Sequence, residues 1–195
     1  MKTGESRASK RKLGVALILW ALPPALSGIF ITFSVDHGPE VGMVGLAILA
    51  LGTAFARGWA LWSIVHLGAT WRFANGLAAS GSTVVGIVAL VALTHSFGLG
   101  LLVMLVASWA VFLTVCDAVM AFRIRHVQLS RDLGVLAIAS GALATIEIVF
   151  PLSSVYAVGV LGAYGVIVAV YLAIAGVSLR FDSSAHIASK ESSTS

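Results

Sequence analysis

Lysine and arginine are confined to four places along this chain, each separated from the next by two apolar stretches of about twenty residues. The N-terminal segment carries Lys2, Arg7, Lys10, Arg11 and Lys12. Arg57 and Arg72 bracket a second segment, Arg123, Arg125 and Arg131 a third, and Arg180 and Lys190 lie at the C-terminal end. Between these places the chain turns three more times, near 34–40, 95–98 and 151–154, without a single Lys or Arg. A bilayer crossing takes about 20 predominantly apolar residues, and basic residues collect on the cytoplasmic side of a membrane protein. Strict alternation of basic and non-basic junctions therefore predicts an all-α polytopic membrane protein. It has six transmembrane helices, with the N-terminus and C-terminus both cytoplasmic.

Composition agrees. Of 195 residues, 59% are hydrophobic and 10% are charged, whereas a soluble domain carries about 25% charged residues. The expected spans are 13–33, one beginning at Val41, about 73–94, 99–122, 132–150 and one ending near Leu179. A basic tail at 1–12 and a Ser-rich tail at 181–195, expected to be disordered, flank a 13–180 transmembrane domain. Hairpins are expected at about 13–66, 72–125 and 131–180. The basic tail reads as a topology signal and a surface for anionic lipid. Nucleic acid is not an expected partner, because no folded basic domain follows. The first apolar run is long for a signal peptide and has no clear small-residue cleavage site, so it reads as an uncleaved helix. Pro23 and Pro24 should kink or break it locally. The second span has two readings, ending near Ala56 or running on to His66. The Trp-rich stretch 57–72, with Trp59, Trp62 and Trp71, favours the inner headgroup level.

The chain repeats itself. A shift of 55 residues lays Gly86 on Gly141, Trp109 on Tyr164, Ala118 on Ala173 and Arg125 on Arg180. Small residues at Ala79, Ser82, Gly86 and Ala89 reappear as Gly134, Ala137, Gly141 and Ala144. A shift of 58 brings Ala21, Pro24 and Gly28 onto the same stripe. Their spacing puts each set on one helix face, where small residues let membrane helices approach closely. Three helical hairpins in tandem are expected. Small faces left over after folding can make a homo-oligomer or receive another membrane protein.

The last hairpin reads Arg131 to Arg180 as a basic residue, an apolar span centred on Gly, a Pro-bearing turn, a second Gly-rich span and a closing Arg. This pattern, spread over about 13–180, resembles the HdeD-like acid-resistance family of short-repeat membrane proteins. The resemblance implies a bacterial inner-membrane protein of the stress response, notably of acid survival. It carries no catalytic residues with it.

Two carboxylates fall within spans. Asp117 lies eight residues before Arg125, roughly 12 Å along a helix, and continues the face of Ala107, Ala110 and Thr114. Glu147 continues Gly141 and Ala144 near the outer end of the fifth span. Ionisable groups at such depth face protein or water and mark structure or function. Asp117 shares the inner half with Arg57, where an ion pair lowers the cost of both charges. Glu147 shares the outer level with His95, a carboxyl and an imidazole that can form a protonatable site open to the outside.

No other constellation carries chemistry. Cys116 is single, and reads as a small apolar residue rather than a metal ligand. Asp36, His37 and Glu40 lack a second His or a Cys at ligand spacing, and read as a solvated turn. Ser80-Gly81 has Ala78 where a rhomboid-like site has Gly. Without a phosphate-cradling loop or a zinc-binding helix motif, neither enzyme activity nor a cofactor or metal is expected. A small proton-linked transporter or channel is the alternative to the stress-response reading, since transporters are often built from repeats.

Overall fold

The computed structural model describes all residues except Met1, 64–67, 96–97, 125–126, 151–152 and 192–195; at 2–11, 127 and 182–191 only the backbone is described. The described residues form six helices and no strand: α1 (Lys2–Phe33), α2 (Pro39–Ser63), α3 (Gly68–Ala92), α4 (Leu99–Arg123), α5 (Val127–Val149) and α6 (Ser154–Glu191). All six are long and apolar enough to cross a membrane. With no water in the hydrocarbon to satisfy backbone N–H and C=O groups, such runs close every hydrogen bond internally as helix.

Several helices outrun the spans read from the sequence. α1 begins at Lys2, and α6 continues to Glu191, where a disordered tail was expected over 181–195. Residues 182–191 hold neither Gly nor Pro, so nothing local stops a helix that the apolar span has already nucleated. Nor do Pro23 and Pro24 break α1, which is unbroken across both. Their neighbours are cut to fit. A Cβ on Gly52 would lie 2.5 Å from the Pro23 ring, and one on Gly165 would lie 2.7 Å from the Pro24 carbonyl oxygen.

Consecutive helices are antiparallel neighbours, and α1 packs most extensively of all against α6, which closes the bundle into a ring. The second helices of the three hairpins, α2, α4 and α6, also touch one another in the middle. The result is an approximately threefold arrangement, with α1, α3 and α5 set outside the clefts between them. Within it, the closest seams join hairpins rather than form them: α1 on α6, α2 on α3, and α4 on α5.

The repeated glycine explains these seams. Gly28, Gly86 and Gly141 are equivalent in the repeat. Each faces the second helix of the neighbouring hairpin: Gly28 meets Val166 and Gly162 of α6, Gly86 meets Leu51 of α2, and Gly141 meets Thr114 of α4. Lipid gives apolar side chains no drive to leave it, so helix association rests on close packing, which small residues allow. At the α1–α6 seam the approach is between backbones, since a Cβ on Gly14 would lie 2.9 Å from the Gly176 carbonyl oxygen.

Buried side chains form two clusters along the bundle. One holds Ile31, Leu46, Leu102, Trp109, Val158 and Leu161. The other holds Leu17, Trp20, Trp71, Met120, Leu133 and Leu172, towards the end where the basic residues lie.

Candidate functional site

Arg57 sits in the last two turns of α2, and its side chain is 5% exposed. Burial on this scale needs a compensating charge, because several kcal/mol of hydration are lost per ion. Asp117 of α4 supplies it. Nη2 of Arg57 donates to both carboxylate oxygens of Asp117, at 2.7 and 2.9 Å. Nη1 donates to Oδ1 of Asn75 on α3 at 3.4 Å, and Asn75 returns a hydrogen bond from Nδ2 to the backbone carbonyl of Arg57 at 2.9 Å. Trp20 of α1 completes the shell. Its ring lies under the guanidinium, 5.2 Å from Cζ to centroid, and its Nε1 donates to the Ala56 carbonyl at 3.0 Å. Trp71 of α3 stacks on Trp20 at 6.0 Å and 12°. One charged pair thus ties together four helices: α1, α2, α3 and α4.

Of the two readings of the second span, the structure follows the longer, and Arg57 at its inner end pairs with Asp117 as their shared depth implied. α2 runs on to Ser63, so Arg57 lies inside the bundle, and Trp71 is fully buried with it. The three tryptophans part company: Trp62 is 88% exposed while Trp71 is 0%. The reason is the partner. Asp117 lies 60 residues away in sequence, and its charge draws Arg57 inward, which no local pattern in 57–72 discloses.

A second polar group stands closer to the axis. Trp109 of α4 and Tyr164 of α6, superposed by the 55-residue shift, meet edge to face at 6.4 Å and 83°. Trp109 Nε1 donates to Ser82 Oγ at 3.0 Å, and the Tyr164 hydroxyl is hydrogen-bonded to Ser140 Oγ at 2.9 Å. Between the two groups lies a cavity of about 40 Å³, bordered by Thr53, Arg57, Asp117, Ser140, Tyr164 and Trp20. A water needs about 10–15 Å³ measured in this way, so the space suits a few waters and not a larger solute. Much of its wall comes from α2, α4 and α6 at four-residue steps: Leu49, Thr53 and Arg57, then Trp109, Leu113 and Asp117, then Tyr164 and Val168. Helices α1 and α5 close the rest through Trp20, Pro24, Leu136 and Ser140.

The structure does not join Glu147 to His95. Glu147 is 2% exposed, and neither of its carboxylate oxygens has a hydrogen-bond partner. His95 is exposed, in the turn that follows α3. In the ring, α4 stands between α3 and α5, so residues at one depth on those two helices are held apart. A shared depth does not say which helices are neighbours.

Buried polar side chains escaped the sequence reading, among them Ser140, Asn75 and Asp132. Asn75 is a lone amide among Ala74, Gly76 and Ala78, and the available signal was its depth in α3, which matches that of Arg57 in α2. Asp132 was taken for a span boundary. Since α5 begins at Val127, it is instead buried, and its Oδ1 accepts a hydrogen bond from the Tyr171 hydroxyl at 2.9 Å while Oδ2 has no partner. Cys116 is a buried free thiol. In the turn before α2, Asp36 Oδ1 accepts from the Gly38 amide at 3.1 Å in an exposed setting. No group of metal-ligating side chains occurs among the described residues.

Compared with known proteins, the chain matches no protein-family model, no curated protein and no solved structure.

Proposed function

We propose that this chain is a non-enzymatic protein of the bacterial inner membrane, both termini cytoplasmic, that serves acid or general stress resistance in the manner of the HdeD-like proteins it resembles. The observation that supports this most is the use the fold makes of its repeat. Each hairpin presents the same glycine to its neighbour, and the buried polar side chains around Arg57 are spent on one another. Such a molecule acts as a rigid body in the membrane, through packing against lipid or a partner helix. Survival of a deletion strain after a brief acid challenge tests this reading. A loss of survival that the intact gene restores supports it. Equal survival with and without the gene detaches the protein from acid resistance.

The cavity beside Arg57, Asp117, Ser140 and Tyr164 favours a second reading, a small proton-linked transporter or channel. Its dimensions suit water and protons better than a solute. Proton flux into liposomes carrying the folded protein, reduced in Ser140→Ala and Tyr164→Phe variants, is the expected result. Flux equal to that of empty liposomes removes this reading.

A further inference from the structure

Arg57 is satisfied within the bundle, whereas Arg72, like Arg123 and Arg131, is exposed and has no ion pair among the described residues. Arg72 lies in the second turn of α3 and is exposed. It makes no ion pair among the described residues, and no Asp or Glu occurs anywhere from 41 to 116. Arg72 borders an open groove of about 710 Å³ between the end of α2 and the start of α3, together with Leu61, Trp62, Ala69 and Phe73. Arg72 and Phe73 lie three and four residues after Ala69, on either side of it along the helix face. Ala69 is small enough to leave the groove floor open. Trp62 is 88% exposed and Phe73 75% exposed, so the walls are aromatic and apolar, and bare. Gly68, with φ +88°, begins α3 in a left-handed conformation that favours glycine and sets this first turn beside the end of α2.

We propose that this groove binds one anionic phospholipid, with its headgroup phosphate on Arg72 and its glycerol and upper acyl segments along Trp62, Phe73 and Leu61. The groove lies where two spans end, at the level where headgroups stand, and where tryptophan is favoured. A planar guanidinium with free donors matches phosphate oxygens in pairs. The bare aromatic walls match the part of a lipid just below its phosphate, and have no counterpart in a soluble anion. The site uses Trp62, which at 88% exposed packs on nothing in the bundle interior, unlike Trp71, which is fully buried.

The test is tryptophan quenching by brominated lipid. The full-length protein is placed in phosphatidylcholine vesicles that contain a small fraction of either brominated phosphatidylglycerol or brominated phosphatidylcholine. A basic residue at the surface favours anionic lipid by an amount equivalent to about fivefold in occupancy. Half-maximal quenching of the wild type is therefore expected at about fivefold less brominated phosphatidylglycerol than brominated phosphatidylcholine. Arg72→Gln should abolish this preference, and Trp62→Phe should remove the extra quenched emission. Arg131→Gln, which neutralises an exposed arginine at the start of α5, should leave the preference in place. Equal quenching of the wild type by the two lipids overturns the proposal, as does a preference that survives Arg72→Gln. A preference abolished by added inorganic phosphate assigns Arg72 to a free anion and overturns it equally.

Discussion

Removing either member of the Arg57–Asp117 pair strands the other charge between helices, with Trp20 and Asn75 as its only company. Loss of one partner of a buried pair costs about 3–5 kcal/mol, whereas replacing both by apolar groups of similar size is often neutral. Asp117→Asn and Arg57→Gln should thus each lower unfolding stability in detergent by about 3–5 kcal/mol. The double variant Arg57→Met with Asp117→Leu should lose much less than the two losses added together. Additive losses in that cycle would mean the two side chains do not act as a pair. Glu147 makes the opposite case. It has no hydrogen bond to lose, so Glu147→Leu should unfold no more readily than the wild type, as read from the same denaturation curves. A large loss of stability in that variant would show that its carboxyl is bonded in the native protein.

Among the helices, the closest approach is the one between α1 and α6. A Cβ on Gly165 would press on the Pro24 carbonyl, which is backbone and cannot swing aside, whereas one on Gly159 would meet nothing within 4 Å. Gly165→Val should cost about 1–3 kcal/mol by overpacking, and Gly159→Val on the same helix should cost little. Equal melting temperatures for these two variants would show that the seam is not closed in the membrane. The six helices and their order were legible in the sequence, because run length and the placement of basic residues are both properties of short segments. The small-residue stripe was legible too, but not its target. Gly28, Gly86 and Gly141 were equivalent by position, and only the fold shows that each meets the hairpin beside it. The Arg57–Asp117 pair was legible from shared depth, but the Asn75 and Trp20 contacts that complete its shell were not, because they depend on which helices are neighbours. Tyr171 is related to Asp132 in the same way, across α5 and α6.

For the molecule as a whole, the repeat and the closed ring are one fact seen twice. Three copies of a hairpin that each offer a narrow face to the next can form an open row or close on themselves, and closure requires that the first helix meet the last. The α1–α6 seam is where these alternatives differ. Closure also creates an interior along the axis, in which the Arg57–Asp117 pair and the Ser140–Tyr164 hydrogen bond lie shielded from lipid. An open row would leave part of that polar layer facing hydrocarbon, at a cost of several kcal/mol per unsatisfied group.

Cysteine crosslinking in native membranes tests this closure most directly. A Cβ on Gly14 would stand 3.5 Å from Cβ of Leu179, at the short end of the Cβ separation found in disulfides, about 3.5–4.5 Å. In a Cys116→Ala background, Gly14→Cys combined with Leu179→Cys should form an intramolecular disulfide rapidly under mild oxidation, provided that Gly14→Ala alone leaves the protein folded. The seam admits the new Cβ by a small shift at the Gly176 carbonyl. Gly14→Cys combined with Gly100→Cys, at opposite ends of the bundle, should form none. Failure of the first pair to crosslink, with both thiols reactive and the protein folded, would contradict the closed ring and leave the hairpins as a row.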